Sequence, residues 1–363
     1  MGGRLITPPD TATSVLDDAA AVAARDPSGA LGAVASMATQ VGTHRAGAAR
    51  VAGRRVPLRS ALFLGMGGSG VAGDLASAAA AGGSKLPVVV HRGCGVPAFC
   101  DESTFVVAAS YSGSTAETLD GFRAACSRGA AHGAVITSGG PLAEEATAAQ
   151  WEVWKVPEGM LPRFALGSMA ALAVDLLAGP GGQWQEATAA HLQGRVSQWG
   201  PDVPLERNEA KRLAVRLEGT LPVVWGGAGA TGVASARWRT DLNENSKVLA
   251  HAANLPELAH NEIVGLAAEG REGRPRMRKV LVCLREPDED QRIARAFEAA
   301  VPDVRDDFED VIEVQAQGAD LVTRFFDLAL LGGLVSVYLA ILRGVDALPI
   351  DSIARLKRAI SDN

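Results

Sequence analysis

Apolar residues fall in short runs, separated by glycine-rich turns and longer Ala-rich stretches. Ala61–Leu64, Leu86–His91 (LPVVVH), Thr104–Ala109 (TFVVAA), Gly133–Thr137 (GAVIT) and Trp151–Val156 are runs of strand length. Runs that are apolar at successive positions predict strands covered on both faces, as in a parallel sheet. Helical stretches lie between them, including an Ala-rich one after GMGGSG and Leu119–Arg128. The pattern restarts at Leu221–Trp225 (LPVVW), passes GGAGATG into a helix through Asp241, and adds strands at Val280–Leu284 and Val311–Val314. Strand–helix alternation predicts an α/β fold: two doubly wound, flavodoxin-like parallel sheets in tandem. Further helices are predicted over Leu166–Leu177, Leu321–Leu342 and Ser352–Ile360. Residues 1–10 read as a polar tail, and 14–49 as Ala-rich helices broken at Asp26, Pro27 and Gly29. The expected domains are a helical extension over 1–55, an α/β domain over 56–157, a helical linker over 158–200 and a second α/β domain over 201–363. The glycine loops Gly65–Gly70 and Gly226–Gly232 occupy equivalent places, which suggests an internal duplication.

Composition narrows the function more than the fold. A length of 363 residues is what about two domains need. With 47% hydrophobic residues but only 5% aromatic, the core must be built from Ala, Val and Leu. The 41 glycines cluster at strand-to-helix turns, so disorder is a poor reading. A formal charge of −6 argues against nucleic acid as a partner, while a small anion needs only local donors. Cys94, Cys100, Cys126 and Cys283 form no CxxC pair; free thiols are expected, with a Cys94–Cys100 pair the alternative in an oxidising compartment. The N-terminus lacks the apolar core of a secretion signal. Phe326–Leu342 carries Asp327, Gly332, Gly333 and Ser336, so a buried helix is the better reading than a membrane span. The expected location is cytoplasmic, with no membrane partner.

Three stretches carry candidate chemistry. GMGGSG follows a strand and opens a helix, where glycines let backbone N–H groups approach an anion. It has no Walker lysine and misses the dinucleotide spacing; a tight turn without ligand is the alternative. SYSGST places Ser110, Ser112, Ser114 and Thr115 between strand and helix. Ordinary N-capping by Ser112 or Thr115 needs one hydroxyl, and four exceed it. Leu242–Gly265 is dense in acids, amides and imidazoles: Glu244, Lys247, His251, Glu257, His260 and Glu262. Glu244, placed just after the preceding helix, is a candidate general base or a solvated face. Asn261 and Glu262 are positioned in sequence to fix the His260 tautomer. His251 and His260 lack a third ligand at metal-like spacing, so a zinc site is not expected, and no cofactor is expected either. Arg163 either stabilises an anion or pairs with Glu158, and Lys357 alone reads as a solvated lysine.

Taken together, GMGGSGVAGD (65–74), SYSGSTAET (110–118), PRFALG (162–167), NENSK (243–247) and PELAHNEIVG (256–265) resemble the bifunctional phosphoglucose/phosphomannose isomerase family. That family carries two sugar isomerase (SIS) domains per chain. The resemblance implies that Gly68, Ser69, Ser110, Ser112 and Thr115 bind the sugar phosphate, and that Arg163 stabilises an enediolate. It implies Glu244 as the base between C1 and C2, and His260 as ring opener, contributed by the neighbouring subunit of a homodimer. Lys357 matches the family's terminal lysine more loosely. The expected substrates are fructose, glucose and mannose 6-phosphates. Two positions depart from the pattern. Leu348 precedes Pro349 where the family commonly has Thr, which weakens the expectation of mannose activity, and Ala259 replaces a common Asn. The rival readings are a SIS protein that binds phosphosugar with little turnover, a SIS transcription regulator, and an amidotransferase isomerase domain. Acidic balance disfavours the second, and NENSK with PELAHNE disfavours the third.

Overall fold

The computed structural model describes residues 15–43, 56–130, 132–179, 183–269 and 277–361. The predicted polar tail and the end of the predicted N-terminal extension lie outside them. The chain divides into two compact units. The first holds Ser36–Gly194 and Gln317–Asp327; the second holds the residues up to Ala35, Arg195–Ala316 and those from Leu328 on.

Helices α1 (Ala19–Arg25) and α2 (Ala30–Ala35) belong to the second unit. Asp26 makes the break between them. Its carboxylate accepts the Ala30 and Leu31 N–H groups at 2.7 and 3.0 Å, so one side chain closes the turn and caps the next helix.

The first unit runs α3 (Met37–Thr43), β1 (Ser60–Gly65), α4 (Gly67–Ala81), β2 (Val88–His91), β3 (Thr104–Ala109), α5 (Ala116–Ser127), β4 (Gly133–Thr137), α6 (Gly140–Ala148), β5 (Glu152–Lys155), α7 (Leu166–Ala178) and α8 (Gln183–Trp199), whose last turn falls in the second unit. All its strands are parallel, in the order β2-β1-β3-β4-β5. This is the flavodoxin-like order expected from the apolar runs. β3 is buried at every position, because a central parallel strand is covered on both faces. Leu62, Leu64, Val106, Ala108, Phe122 and Trp151 fill one side of the sheet. Phe122 and Trp151 meet edge to face with ring centroids 5.0 Å apart. Elsewhere α4 packs on α7, and Gly73 leaves room for the Phe63 ring, which would lie 2.3 Å from an added Cβ.

The second unit continues with α9 (Glu209–Leu217), β6 (Leu221–Gly226), α10 (Ala230–Glu244), β7 (His251–Asn254), α11 (Glu262–Glu269), β8 (Lys279–Arg285), α12 (Gln291–Val304), β9 (Asp310–Gln315), α13 (Leu321–Arg343) and α14 (Asp351–Ser361). Residues of α13 up to Asp327 group with the first unit. The parallel order β7-β6-β8-β9 repeats the first four strands of the other sheet. α13 is long and apolar enough to cross a membrane, yet 94% of its most apolar window is buried inside the protein. Gly332 admits the Trp238 indole, whose Nε1 donates to the Leu328 carbonyl at 2.7 Å.

Sequence reading missed β7. HAAN has little strand propensity, and only its pairing with β6, from Val223↔His251 to Gly226↔Asn254, makes it a strand. It also missed α9 and α12. α10 extends past Asp241, so Glu244 is its last residue and does not follow it.

Candidate active site

The register Gly65↔Ala109 ends β1 and β3 level with one another. From β1 the chain winds to β2 on one side; from β3 it winds to β4 on the other. Such a switch point opens a crevice at the strand ends. Two loops border it.

The first is the glycine loop. Gly67 takes φ +52, a region that favours glycine, and starts α4 immediately. Met66, at the N-cap, supplies no side-chain cap, and its carbonyl takes the Gly70 N–H at 3.2 Å. The N–H groups of Gly67, Gly68 and Ser69 precede the helical ladder and have no intrahelical acceptor. Gly68 and Ser69 are half-buried.

The second is the hydroxyl loop. Ser110 is buried, and its Oγ lies 2.9 Å from the Thr115 Oγ1. Thr115 is the N-cap of α5 but makes no capping bond. Its hydroxyl is therefore turned to Ser110, and the N-capping alternative for that residue does not hold. Ser112 is exposed and accepts from the Ser114 N–H at 3.3 Å and the Ser114 hydroxyl at 2.9 Å. Gly113, at φ +64, passes so close to Gly139 that an added Cβ would sit 1.8 Å from its carbonyl oxygen. The loop is thus locked to the turn after β4, where Leu142 N–H bonds the Gly113 carbonyl at 2.9 Å.

Arg163 lies buried in the short helical turn Pro162–Phe164, its guanidinium 4.8 Å from the Phe164 ring centroid. That turn touches α4. Two residues that sequence reading did not single out hold it. Tyr111 Oη donates to the Pro157 carbonyl at 2.8 Å and accepts the Met160 N–H at 2.8 Å. Buried Gln40, from α3, donates to the Phe164 carbonyl at 2.7 Å and accepts the Ser168 N–H at 3.2 Å. Arg92 was missed too. Following β2, its guanidinium lies over Gly70, where an added Cβ would be 2.8 Å from Nε, and bonds Asp74 of α4. Burial pushes the Asp74 carboxyl up against the opposing pull of Arg92.

Glu244, His260 and Lys357 belong to the second unit. Glu244 ends α10 and is half-buried. The residues around it in NENSK anchor that end. Asn245 Nδ2 donates to Ser336 Oγ at 2.9 Å, and Ser246 Oγ to the Ser336 carbonyl at 2.6 Å. His260 closes the turn Glu257–His260 and is exposed. Its neighbours do not orient it as expected. Asn261 Nδ2 bonds Glu257 at 2.9 Å, while the Glu262 carboxylate bonds His251 at 3.0 Å. These bonds brace the loop that carries the imidazole, from β7 to the start of α11. Lys357 falls within α14. Leu348 is half-buried, and its N–H donates to Asp346 at 3.0 Å. Among the described residues, no three His, Cys, Asp or Glu side chains gather as a metal site.

The glycine loop of the second sheet is closed by its own side chains. Thr231 Oγ1 accepts the Gly227 N–H at 3.0 Å, and the Glu286 carboxylate accepts the Thr231 N–H at 3.4 Å. Asn254 stands where the first sheet has Arg92, one residue past the Leu64↔His91 pair, and donates to the Gly232 carbonyl at 3.4 Å.

Residues 206–360 match the family described as the bacterial phospho-glucose isomerase C-terminal SIS domain. Across the whole chain, solved structures of low identity share the fold. One is a glucose-6-phosphate isomerase like protein from Thermus thermophilus, with TM-score 0.57 and 21% identity over 94% of this chain and 98% of that one. A bifunctional phosphoglucose/phosphomannose isomerase of Caldicellulosiruptor bescii is 35% identical over 83% of this chain and 89% of its own length. Its counterpart in Aquifex aeolicus is 33% identical over 84% and 91%. The chain belongs to the bifunctional phosphoglucose/phosphomannose isomerase family.

Proposed function

We propose that the chain interconverts glucose 6-phosphate, and with it mannose 6-phosphate, with fructose 6-phosphate through an enediolate. The observation that carries this reading is the Ser110–Thr115 loop. Its N-cap hydroxyl faces Ser110 and not the helix, on a strand adjacent to a second uncapped helix start. Hydroxyls and free N–H groups in that arrangement suit a phosphate dianion. Phosphate binding supplies energy remote from the reacting carbons and orients C1 and C2.

In this reading Gly68, Ser69, Ser110, Ser112 and Thr115 hold the phosphate. His260 moves the proton that opens the sugar ring. Glu244 takes the proton from C2 of the aldose and returns it to C1, giving the ketose. The Arg163 guanidinium balances the charge that develops on the enediolate oxygens. Lys357 completes the set as a further cation. The protein acts as a cytoplasmic homodimer, with His260 supplied across the interface. Exposed Leu249, Val264, Leu356 and Ile360 in the second unit favour such an assembly.

Purified protein is expected to convert fructose 6-phosphate to glucose 6-phosphate without added metal. No conversion in either EDTA or divalent metal, with phosphosugar still bound, would leave a binding protein and not an enzyme. Glu244→Gln is expected to keep phosphosugar affinity and lose at least about a thousandfold in kcat, the upper part of what a positioned base contributes. Leu348→Thr is expected to raise the mannose 6-phosphate rate relative to glucose 6-phosphate; an unchanged ratio removes position 348 from the specificity argument.

A further inference from the structure

Helix α10 ends at Glu244, and three residues further on a position suited to glycine is filled by lysine. Lys247 has φ +56, in the left-handed region. Among the described residues Gln150 is the other non-glycine there. The Val248 N–H turns back to the Leu242 carbonyl at 3.3 Å, so the chain folds back beside the last turn of the helix. Glycine would make the turn without strain. The lysine side chain does what glycine cannot. Its Nζ donates to the carbonyl of Glu244 at 2.5 Å and to the carbonyl of Ala347 at 2.9 Å, 100 residues away in sequence. One ammonium therefore holds two backbone groups: that of Glu244 itself, and that of the residue before Leu348. A cation is also the charge that a helix C-terminus favours.

We propose that Lys247 is a positioning residue for the reaction. By tying the end of α10 to the 346–349 turn, it sets the place of the Glu244 carboxylate and of the side chain at 348 together. The strained backbone is retained because the tether requires a side chain at the turn. The inference rests on Glu244 being the base.

Lys247→Gly tests it, since glycine accepts the backbone conformation while the tether is lost. The expected result is a thermal midpoint no lower than wild type, KM for fructose 6-phosphate within about twofold, and kcat down at least about tenfold, the direction that misplacing a catalytic group produces. Lys247→Arg, which keeps a cationic donor at the turn, is expected to recover most of that kcat. Wild-type kcat in Lys247→Gly overturns the proposal. So does a loss in which kcat and the thermal midpoint fall while KM rises, because that marks a structural lysine only. Glu244→Gln measured beside it separates the two readings. If that variant turns over normally, the base assignment has failed; if it is inactive while Lys247→Gly is fully active, only the tether has failed.

Discussion

After β1 the chain turns through Gly65–Gly70 into α4; after β6 it turns through Gly226–Gly232 into α10. Strand order, parallel pairing and the place of the glycines are the same. The neighbouring loops are not. After β3 the chain reads SYSGST, and after β8, which ends in Arg285, it reads EPDED. The first turns two hydroxyls toward each other beside an uncapped helix. The second delivers the Glu286 carboxylate onto the Thr231 N–H and neutralises its own arginine, Arg285, on Glu289. Arg92 beside the first loop is replaced by neutral Asn254 beside the second. A helix start attracts anions in both places. In one no side chain caps it, while in the other an internal anion takes that role. Duplicating the fold has therefore not duplicated the chemistry of the loops, and the difference lies in a handful of residues after the strands.

The largest effect is expected where the open loop is dismantled. Ser110→Ala with Thr115→Val removes both facing hydroxyls. Hydrogen bonds to a charged group contribute about 1.5–3 kcal/mol each, so KM for fructose 6-phosphate should rise about a hundredfold or more. Steady-state kinetics and unchanged far-ultraviolet dichroism check it; an unmoved KM would remove the phosphate from this loop. The matching change in the closed loop should act on stability alone. Thr231→Val strips the Gly227 N–H of its 3.0 Å acceptor. A buried donor left unpaired costs about 1–3 kcal/mol, read in denaturant unfolding, with KM unaltered. A raised KM there would mean that the second loop also serves the substrate.

Much of this contrast was legible before the fold was known. Continuous apolar runs such as TFVVAA and VLVCL, bounded by polar residues, fit strands in a covered parallel sheet, and they located every strand but β7. The four hydroxyls in SYSGST exceeded what capping needs, and the Thr115 geometry agrees with that surplus. What escaped has a common physical cause: it depends on partners distant in sequence. HAAN is a strand only because β6 pairs with it. Gln40 orders the Arg163 turn across 124 residues, and Tyr111 does so across nearly 50. Asn261 and Glu262 looked like partners of His260 by adjacency, yet they bond Glu257 and His251, because turn geometry decides which side chains meet. The stretch after β8 carries no motif, and no local pattern reveals that Glu286 reaches a helix start.

That last residue gives the smallest effect and the most direct test of the contrast. If Glu286 fills an anion site, replacing it with a small hydroxyl should reopen the site. Glu286→Ser, built on the Ser110→Ala/Thr115→Val background so that the first loop contributes little, should acquire weak affinity for inorganic phosphate. Binding at about a tenth-millimolar to ten-millimolar level would stabilise by RT ln(1 + [L]/Kd), about 1 kcal/mol at concentrations several times Kd. For units of this size that is a rise of about 2–4 °C in thermal midpoint in phosphate over chloride at equal ionic strength. The same background carrying Glu286 should show no such rise, because a carboxylate already on the N–H group repels the incoming dianion. Equal phosphate responses with and without Glu286 would mean that the second loop is closed by backbone shape, and that the acid is incidental to it.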